Sequence, residues 1–221
     1  SESAPSEGVK PGTEEAATRK CADDEPFSAY VFKTLVDPFV GIINLIQVKS
    51  GTIKKDQEVF VSHSNDVEKT GPLFTVVGKS QIPLELCHAG DICAVTKMAK
   101  VTTDTTISDK KAPIVYARTI TPSPTMYVSI KPRNKADEDK LGNALAKIVL
   151  EDGTFEIKRN KETSQLLIGG QGSIHIGYIV DKMRNAYKVD VETEDQQVVY
   201  RETIKQIATA EGRYVKQSGG S

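Results

Sequence analysis

The tripeptide Gly78-Lys79-Ser80 places a lysine and a hydroxyl beside a glycine, as phosphate-binding loops do. Such a loop also needs a glycine five residues before its second glycine and a helix directly after it. Position 73 is Leu73, and Ile82-Pro83 stands where the helix would run. The tripeptide therefore predicts a hairpin turn, and we expect no nucleotide cofactor to bind this chain.

Cys87, His88 and Cys93 are the side chains whose types could ligate a metal. Zinc sites usually use four ligands with paired short spacings, whereas these three candidates stand at irregular spacing. We predict ordinary positions on a β-hairpin and no metal site. With Cys21, the cysteines are odd in number and widely spaced, which is not a disulfide framework and favours a reducing, cytoplasmic compartment.

The segment Gly169-Gly170-Gln171-Gly172 lies between a predicted strand and a predicted helix, a context that suits anion binding. The third glycine of a dinucleotide loop would fall at His175, so a tight turn is favoured. The other histidines, His63 and His88, lie in unrelated contexts, and a triad is defined by geometry. No catalytic residue is therefore predicted.

The 221 residues carry 29 Lys and Arg against 30 Asp and Glu, a formal net charge of −1. This balance argues against a strongly basic nucleic-acid binder, which would show a high pI and a stripe of Lys and Arg. No run approaches the roughly 20 apolar residues that a membrane span requires. We therefore expect no membrane partner.

The pattern of apolar residues divides the chain. Residues 1–25 are rich in Ser, Glu, Ala, Pro and Gly, a composition that buries too little surface to offset ordering entropy, so we predict a disordered linker. Residues 26–118 contain short apolar runs separated by turn residues at intervals of about 8–12. This spacing predicts a small β-barrel domain.

Pro122 and Pro124 mark a second linker at residues 119–124, after which the period changes. Residues 125–196 read as strand, helix, two strands, helix and strand, the ferredoxin-like βαββαβ order. The first helix is predicted over residues 134–150, with Asn134 as its N-cap, on the helical spacing of four apolar residues: Leu141, Leu145, Ile148 and Val149. Residues 197–221 read as the truncated start of another domain.

A ferredoxin-like domain can be a stand-alone RNA-binding module, which stacks bases on aromatic side chains of its central strands. Here the third strand, residues 165–168, has no aromatic residue, and the first offers only Tyr127. A packing role is therefore favoured. A small ferredoxin-like enzyme also stays open, and turnover by the purified chain would support it.

Five strings, in this order, resemble bacterial elongation factor G. They cover about 26–221 with hardly a gap, and they are PFSAYVFKTLVDPFVGIINLIQVKSGTIKKDQEV, AGDICAV, KPRNKADEDKLGNALAKIVLEDGTF, GGQGSIHIGYIVDKM, and VVYRETI followed by EGRYVKQSGG. The resemblance implies a translation-factor-type β-barrel as domain II, a ferredoxin-like domain III and the start of domain IV. Each string alone is weak, and the combination is specific.

The resemblance also implies a function in ribosomal translocation. It implies that a missing GTPase domain binds GTP and Mg, and that this portion alone, a monomer, is no enzyme. The implied partners are the ribosome, through small-subunit rRNA and proteins, and the GTPase and later domains of the same molecule. The implied ribosome contacts are Asp37, Phe39 and Gly41, and the implied GTPase-domain interface is Thr154, Phe155, Gly172 and His175.

Several positions depart from the family pattern. Family members usually carry arginine where this chain has Ile42 and Gln47, and arginine binds phosphate through two hydrogen bonds. Ser173 and Gly153 replace a usual Glu and Pro. These departures indicate a divergent paralogue. A ribosome-protection protein of the tetracycline-resistance kind is the alternative within the superfamily.

Overall fold

The computed structural model describes residues 4–77, 80–119 and 121–197. Its strands are, in chain order, β1 (Ser6–Val9), β2 (Ala16–Arg19), β3 (Ser28–Asp37), β4 (Gly41–Ser50), β5 (Ile53–Lys54), β6 (Glu58–Val61), β7 (Asp66–Lys69), β8 (Leu73–Val77), β9 (Ser80–Leu84), β10 (Leu86–Cys87), β11 (Ile92–Thr96), β12 (Thr106–Asp109), β13 (Val115–Tyr116), β14 (Met126–Pro132), β15 (Glu156–Arg159), β16 (Leu166–Gly170) and β17 (Val191–Asp195). The helices are α1 (Glu138–Glu151) and α2 (Ser173–Ala186).

The first half of the chain forms the predicted small β-barrel. Eight antiparallel strands lie in the order β7-β6-β12-β3-β4-β11-β8-β9, and β5 pairs separately with β10. Along β4 the side chains alternate, so that Ile46 and Val48 enter the core while Leu45 and Gln47 face outward. A register shift between Val31 and Lys33 bends β3 as it follows the barrel wall.

The second half forms the predicted ferredoxin-like domain. Its four antiparallel strands lie in the order β15-β16-β14-β17, and α1 and α2 pack on one face of this sheet. The first helix begins as a short 3-10 turn, Lys135–Asp137, in which the Asn134 side chain accepts a hydrogen bond from the Ala136 amide at 3.1 Å. The buried face of α1 consists of Leu141, Ala144, Leu145 and Ile148, as helical spacing requires. Val149, which the sequence predicted on this face, is instead 37% exposed.

The prediction of a disordered linker over residues 1–25 is wrong for its central part. Strands β1 and β2 form a hairpin, and β1 also pairs with β13, the last strand of the barrel half. Backbone pairing supplies the stability that composition could not predict. Gly8 permits the close approach, because a Cβ there would lie 2.6 Å from the Val115 carbonyl oxygen.

Two sequence predictions fall outside the described residues. One is the hairpin turn at Gly78 and Lys79, and the other is the start of a further domain over residues 198–221. Within the described ranges, no helix is both long enough and apolar enough to cross a membrane.

Candidate functional site

The turn between β3 and β4 holds the three residues that the resemblance assigns to ribosome contact. The Asp37 carboxylate accepts hydrogen bonds from the amides of Phe39 and Val40, both at 2.8 Å. These two donors, Val40 first, lower the pKa of Asp37 below its usual value. Gly41 has φ +86°, a conformation that favours glycine. The turn therefore presents Phe39, which is 96% exposed, at its tip.

The segment after α1 forms a second turn around the Asp152 carboxylate. One carboxylate oxygen accepts hydrogen bonds from the Thr154 amide at 2.9 Å and the Thr154 hydroxyl at 2.6 Å. The other lies 2.7 Å from Nε2 of His175, in the first turn of α2. Burial of Asp152 raises its pKa, but the bonds from Thr154 and His175 together lower the pKa below its usual value.

The glycine-rich segment before α2 fixes the His175 ring. The Gln171 amide donates to Nδ1 of His175 at 3.0 Å, so Nδ1 is an acceptor and Nε2 carries the proton donated to Asp152. The Gln171 side-chain nitrogen donates to the carbonyl oxygens of Pro122 and Ser123, both at 3.2 Å. The turn thus holds the interdomain linker on one side and the end of α1 on the other.

The exposed face of this second site is apolar. Ile174 is 89% exposed and Tyr178 is 60% exposed, and they stand one turn apart on the outer side of α2. We call the surface formed by Gln171, Ile174, His175 and Tyr178 the α2 patch. Gly172, with φ +150°, begins the helix beside it, in a conformation that favours glycine.

Phe155 needs a correction to its predicted interface role. Its ring is only 4% exposed and packs in the core of the ferredoxin-like domain. The Phe155 ring therefore attaches the turn to the domain core and is not available to a docking partner. Thr154, Gly172 and His175 stay near the surface, and the structure brings Thr154 and His175 together through Asp152.

The sequence matches two family models, Elongation factor G domain 2 over residues 26–110 and Elongation Factor G, domain III over residues 121–195. The chain carries domains II and III of the elongation factor G family. A crystal structure of a protein from Thermus thermophilus is similar, with a TM-score of 0.68 and 28% identity over 78% of this chain. This chain spans about a quarter of that protein, since the match covers 26% of it.

Domain II, the barrel, carries Gln47 at one of the two positions where the resemblance implies an arginine. The Gln47 side-chain oxygen accepts a hydrogen bond from Nζ of Lys49 at 2.7 Å. A cation therefore lies next to this position although the arginine is absent. Ile42, the other position where the resemblance implies an arginine, lies on β4 directly after Gly41 and adds no charge.

Domain III, the ferredoxin-like domain, does not present Tyr127 as a base-stacking surface. The ring packs over Gly169, where a Cβ would lie 2.5 Å from a ring carbon. Nζ of Lys158 lies 4.7 Å from the ring centre, and the hydroxyl donates to Glu156 at 2.6 Å. Because its ring and its hydroxyl are both engaged within the domain, the geometry disfavours RNA binding through Tyr127.

The side chains whose types could ligate a metal have other partners. His88 Nδ1 lies 2.6 Å from the Asp23 carboxylate, and Cys87 and Cys93 are each only 2% exposed in the core of domain II. In the part of the chain that the structure describes, no group of three or more His, Cys, Asp or Glu side chains could hold a metal ion.

Sequence reasoning missed the polar residues that build the second site. Asp152, Gln171 and Glu151 make their decisive contacts with residues 23 to 115 positions away. The only local signal is the pair Glu151-Asp152 at the end of a predicted helix. A carboxylate there is unfavourable toward the helix dipole, which hints at a partner elsewhere.

Proposed function

We propose that this chain is the part of a translational GTPase that contacts the ribosome and relays the nucleotide state during translocation. The observation that supports this proposal is the occurrence of domains II and III of elongation factor G in their family order. GTP and Mg would then bind to a separate GTPase domain of the parent protein. The parent protein would act in the cytoplasm as a monomer.

The turn of domain II is the proposed contact with small-subunit rRNA and proteins. Phe39 supplies an exposed ring, and aromatic side chains stack favourably on unpaired bases. Lys49 supplies a positive charge for phosphate near Gln47. Asp37 and Gly41 hold the turn in the shape that exposes Phe39.

The α2 patch of domain III is the proposed contact with the GTPase domain. Ile174 and Tyr178 are exposed apolar side chains, and covering them with a partner removes apolar surface from water, which favours binding. His175, within the patch, and Thr154 share the Asp152 carboxylate as their hydrogen-bond partner. A surface held in this way can pass a displacement of its partner to the rest of domain III.

Co-sedimentation of this chain with ribosomes tests the first contact. We expect binding that weakens with salt and is reduced about tenfold by Phe39→Ala, because base–aromatic stacking contributes roughly 1–3 kcal/mol. Phe32→Ala is the control, since Phe32 is 40% exposed on β3, the strand that leads into the turn, and lies away from the turn itself. Equal losses for both variants would contradict a specific role for the turn.

Calorimetry tests the assignment of nucleotide binding. We expect no heat of GTP binding by this chain, since domains II and III are the parts that it carries. A micromolar affinity for GTP would overturn the assignment of GTP to a separate domain.

A further inference from the structure

The last residue of α1 connects the two domains. Oε1 of Glu151 accepts a hydrogen bond from the backbone amide of Val36 at 2.9 Å, across 115 positions of sequence. Its other carboxylate oxygen accepts from Nζ of Lys182 on α2. The Glu151 side chain is 14% exposed and that of Lys182 is 23% exposed. The contact is therefore a largely desolvated ion pair that also binds the barrel.

Val36 pairs with Ile42 of β4 on one side, and no described strand pairs with β3 at this point on the other side. Strand β12 pairs with β3 only at residues 28–30, near the start of the strand. Beyond that point the outer edge of β3 would expose backbone donors to solvent, which proteins usually cover or blunt. Glu151 covers this edge one residue before Asp37, where the exposed turn begins.

The neighbouring carboxylate faces a different set of partners. Asp152 binds Thr154 and His175, and His175 is held in turn by the Gln171 amide beside the α2 patch. Two successive residues at one helix end therefore contact domain II and the first turn of α2. Movement of this helix end must change both contacts, because the two residues share one backbone.

We propose that Glu151 and Asp152 form a latch that fixes the orientation of domain II relative to domain III. Glu151 is a positioning residue that holds the base of the domain II turn, and Asp152 ties the same helix end to the α2 patch. A displacement of the patch is thereby transmitted to the turn at Asp37–Gly41. The latch exists whether or not either surface binds the partner proposed above.

The Glu151 carboxylate has two partners, the Val36 amide and the Lys182 ammonium. A glutamine at position 151 still accepts from the Val36 amide but leaves the Lys182 ammonium without a counter-charge in a partly buried place, which is unfavourable. Lys182→Met removes the cation and leaves the carboxylate free to keep the Val36 contact. The pair of variants therefore separates the interdomain hydrogen bond from the ion pair.

Hydrogen exchange at the Val36 amide, followed by NMR, is the direct test. In Glu151→Ala we expect exchange at Val36 to accelerate about tenfold, since a hydrogen bond to a charged group is lost there. Amides in the middle of β4 should stay protected. Glu138→Gln is the matched control, because Glu138 is an exposed acidic residue at the opposite end of α1.

Residual dipolar couplings test the consequence for domain orientation. Wild type and Glu138→Gln should fit one common alignment tensor for both domains, and Glu151→Ala should require two. Asp152→Ala should also accelerate exchange at Val36, by less than Glu151→Ala, if the two carboxylates act together. Unchanged Val36 exchange and a single tensor in a folded Glu151→Ala variant would overturn the latch, and ribosome binding would remain a separate question.

Discussion

The two candidate surfaces are both turns that close on an aspartate, yet they are held in different ways. Asp37 binds amides two and three residues ahead, so the barrel turn is complete within five residues. Asp152 binds a neighbour and also a histidine 23 positions away, so the second turn exists only after two helices have packed. The comparison shows that an aspartate can hold a turn through neighbouring residues in one domain and through a residue distant in sequence in the next.

The largest expected effect of this difference is at Phe155, the phenylalanine of the domain III turn. Phe155→Ala removes a ring that is 4% exposed in the core of domain III, and we expect the free energy of unfolding to fall by about 3–5 kcal/mol. Urea unfolding followed by circular dichroism measures this loss. A change below about 1 kcal/mol would mean that the core does not depend on this turn.

The second prediction concerns the aspartates. Asp152→Ala removes the acceptor of Thr154 and the partner of His175, and we expect a loss of about 2 kcal/mol in unfolding free energy. Asp37→Ala acts on a turn at the protein surface and should cost less. The same urea experiment compares the two variants. An equal or larger loss of unfolding free energy in Asp37→Ala would contradict the proposed difference between the two turns.

The pH dependence sharpens the role of Asp152. Because folding lowers the pKa of Asp152, its contribution to stability is complete above the unfolded value of about 3.9 and is lost as the pH falls through the folded value. The difference in unfolding free energy between wild type and Asp152→Asn should therefore shrink below about pH 4. Urea unfolding at several pH values on both sides of that point measures it, and a constant difference would exclude an ionised Asp152 as the cause.

The smallest expected change in stability belongs to Phe39→Ala. The ring is 96% exposed, so its removal should alter the unfolding free energy by no more than about 0.5 kcal/mol. Thermal unfolding of the variant beside Phe155→Ala provides the check. A large loss would show that the barrel turn makes tertiary contacts, as the domain III turn does.

The parts of the fold that the sequence predicted are those with local causes. The apolar spacing of α1 and the order of elements in the ferredoxin-like domain are confirmed, because burial on one face of a helix or strand is visible as a period. The turn Asp37–Gly41 also has a local cause, since the Asp37 carboxylate accepts from nearby amides and Gly41 adopts a positive φ.

The parts that could not be predicted depend on partners distant in sequence. Strand β1 pairs with its neighbour β2 and also with β13, and the composition of residues 1–25 does not indicate the distant edge that β13 offers. The burial of Phe155 and the contact of Glu151 with Val36 likewise follow from the packing of α1 against two different neighbours. A single sequence shows the residue types for such contacts but not their pairing.

The pairing of β1 with β13 has a mechanical consequence. Gly8 lies opposite Tyr116, and Val9 lies opposite Val115, so the chain enters and leaves domain II along two antiparallel neighbours. Residues 4 and 119 lie at the same end of this short antiparallel ladder, so a force applied at them would break its hydrogen bonds one after another. Tension on the chain would therefore separate β1 from β13 before it acts on the eight-stranded sheet of the barrel.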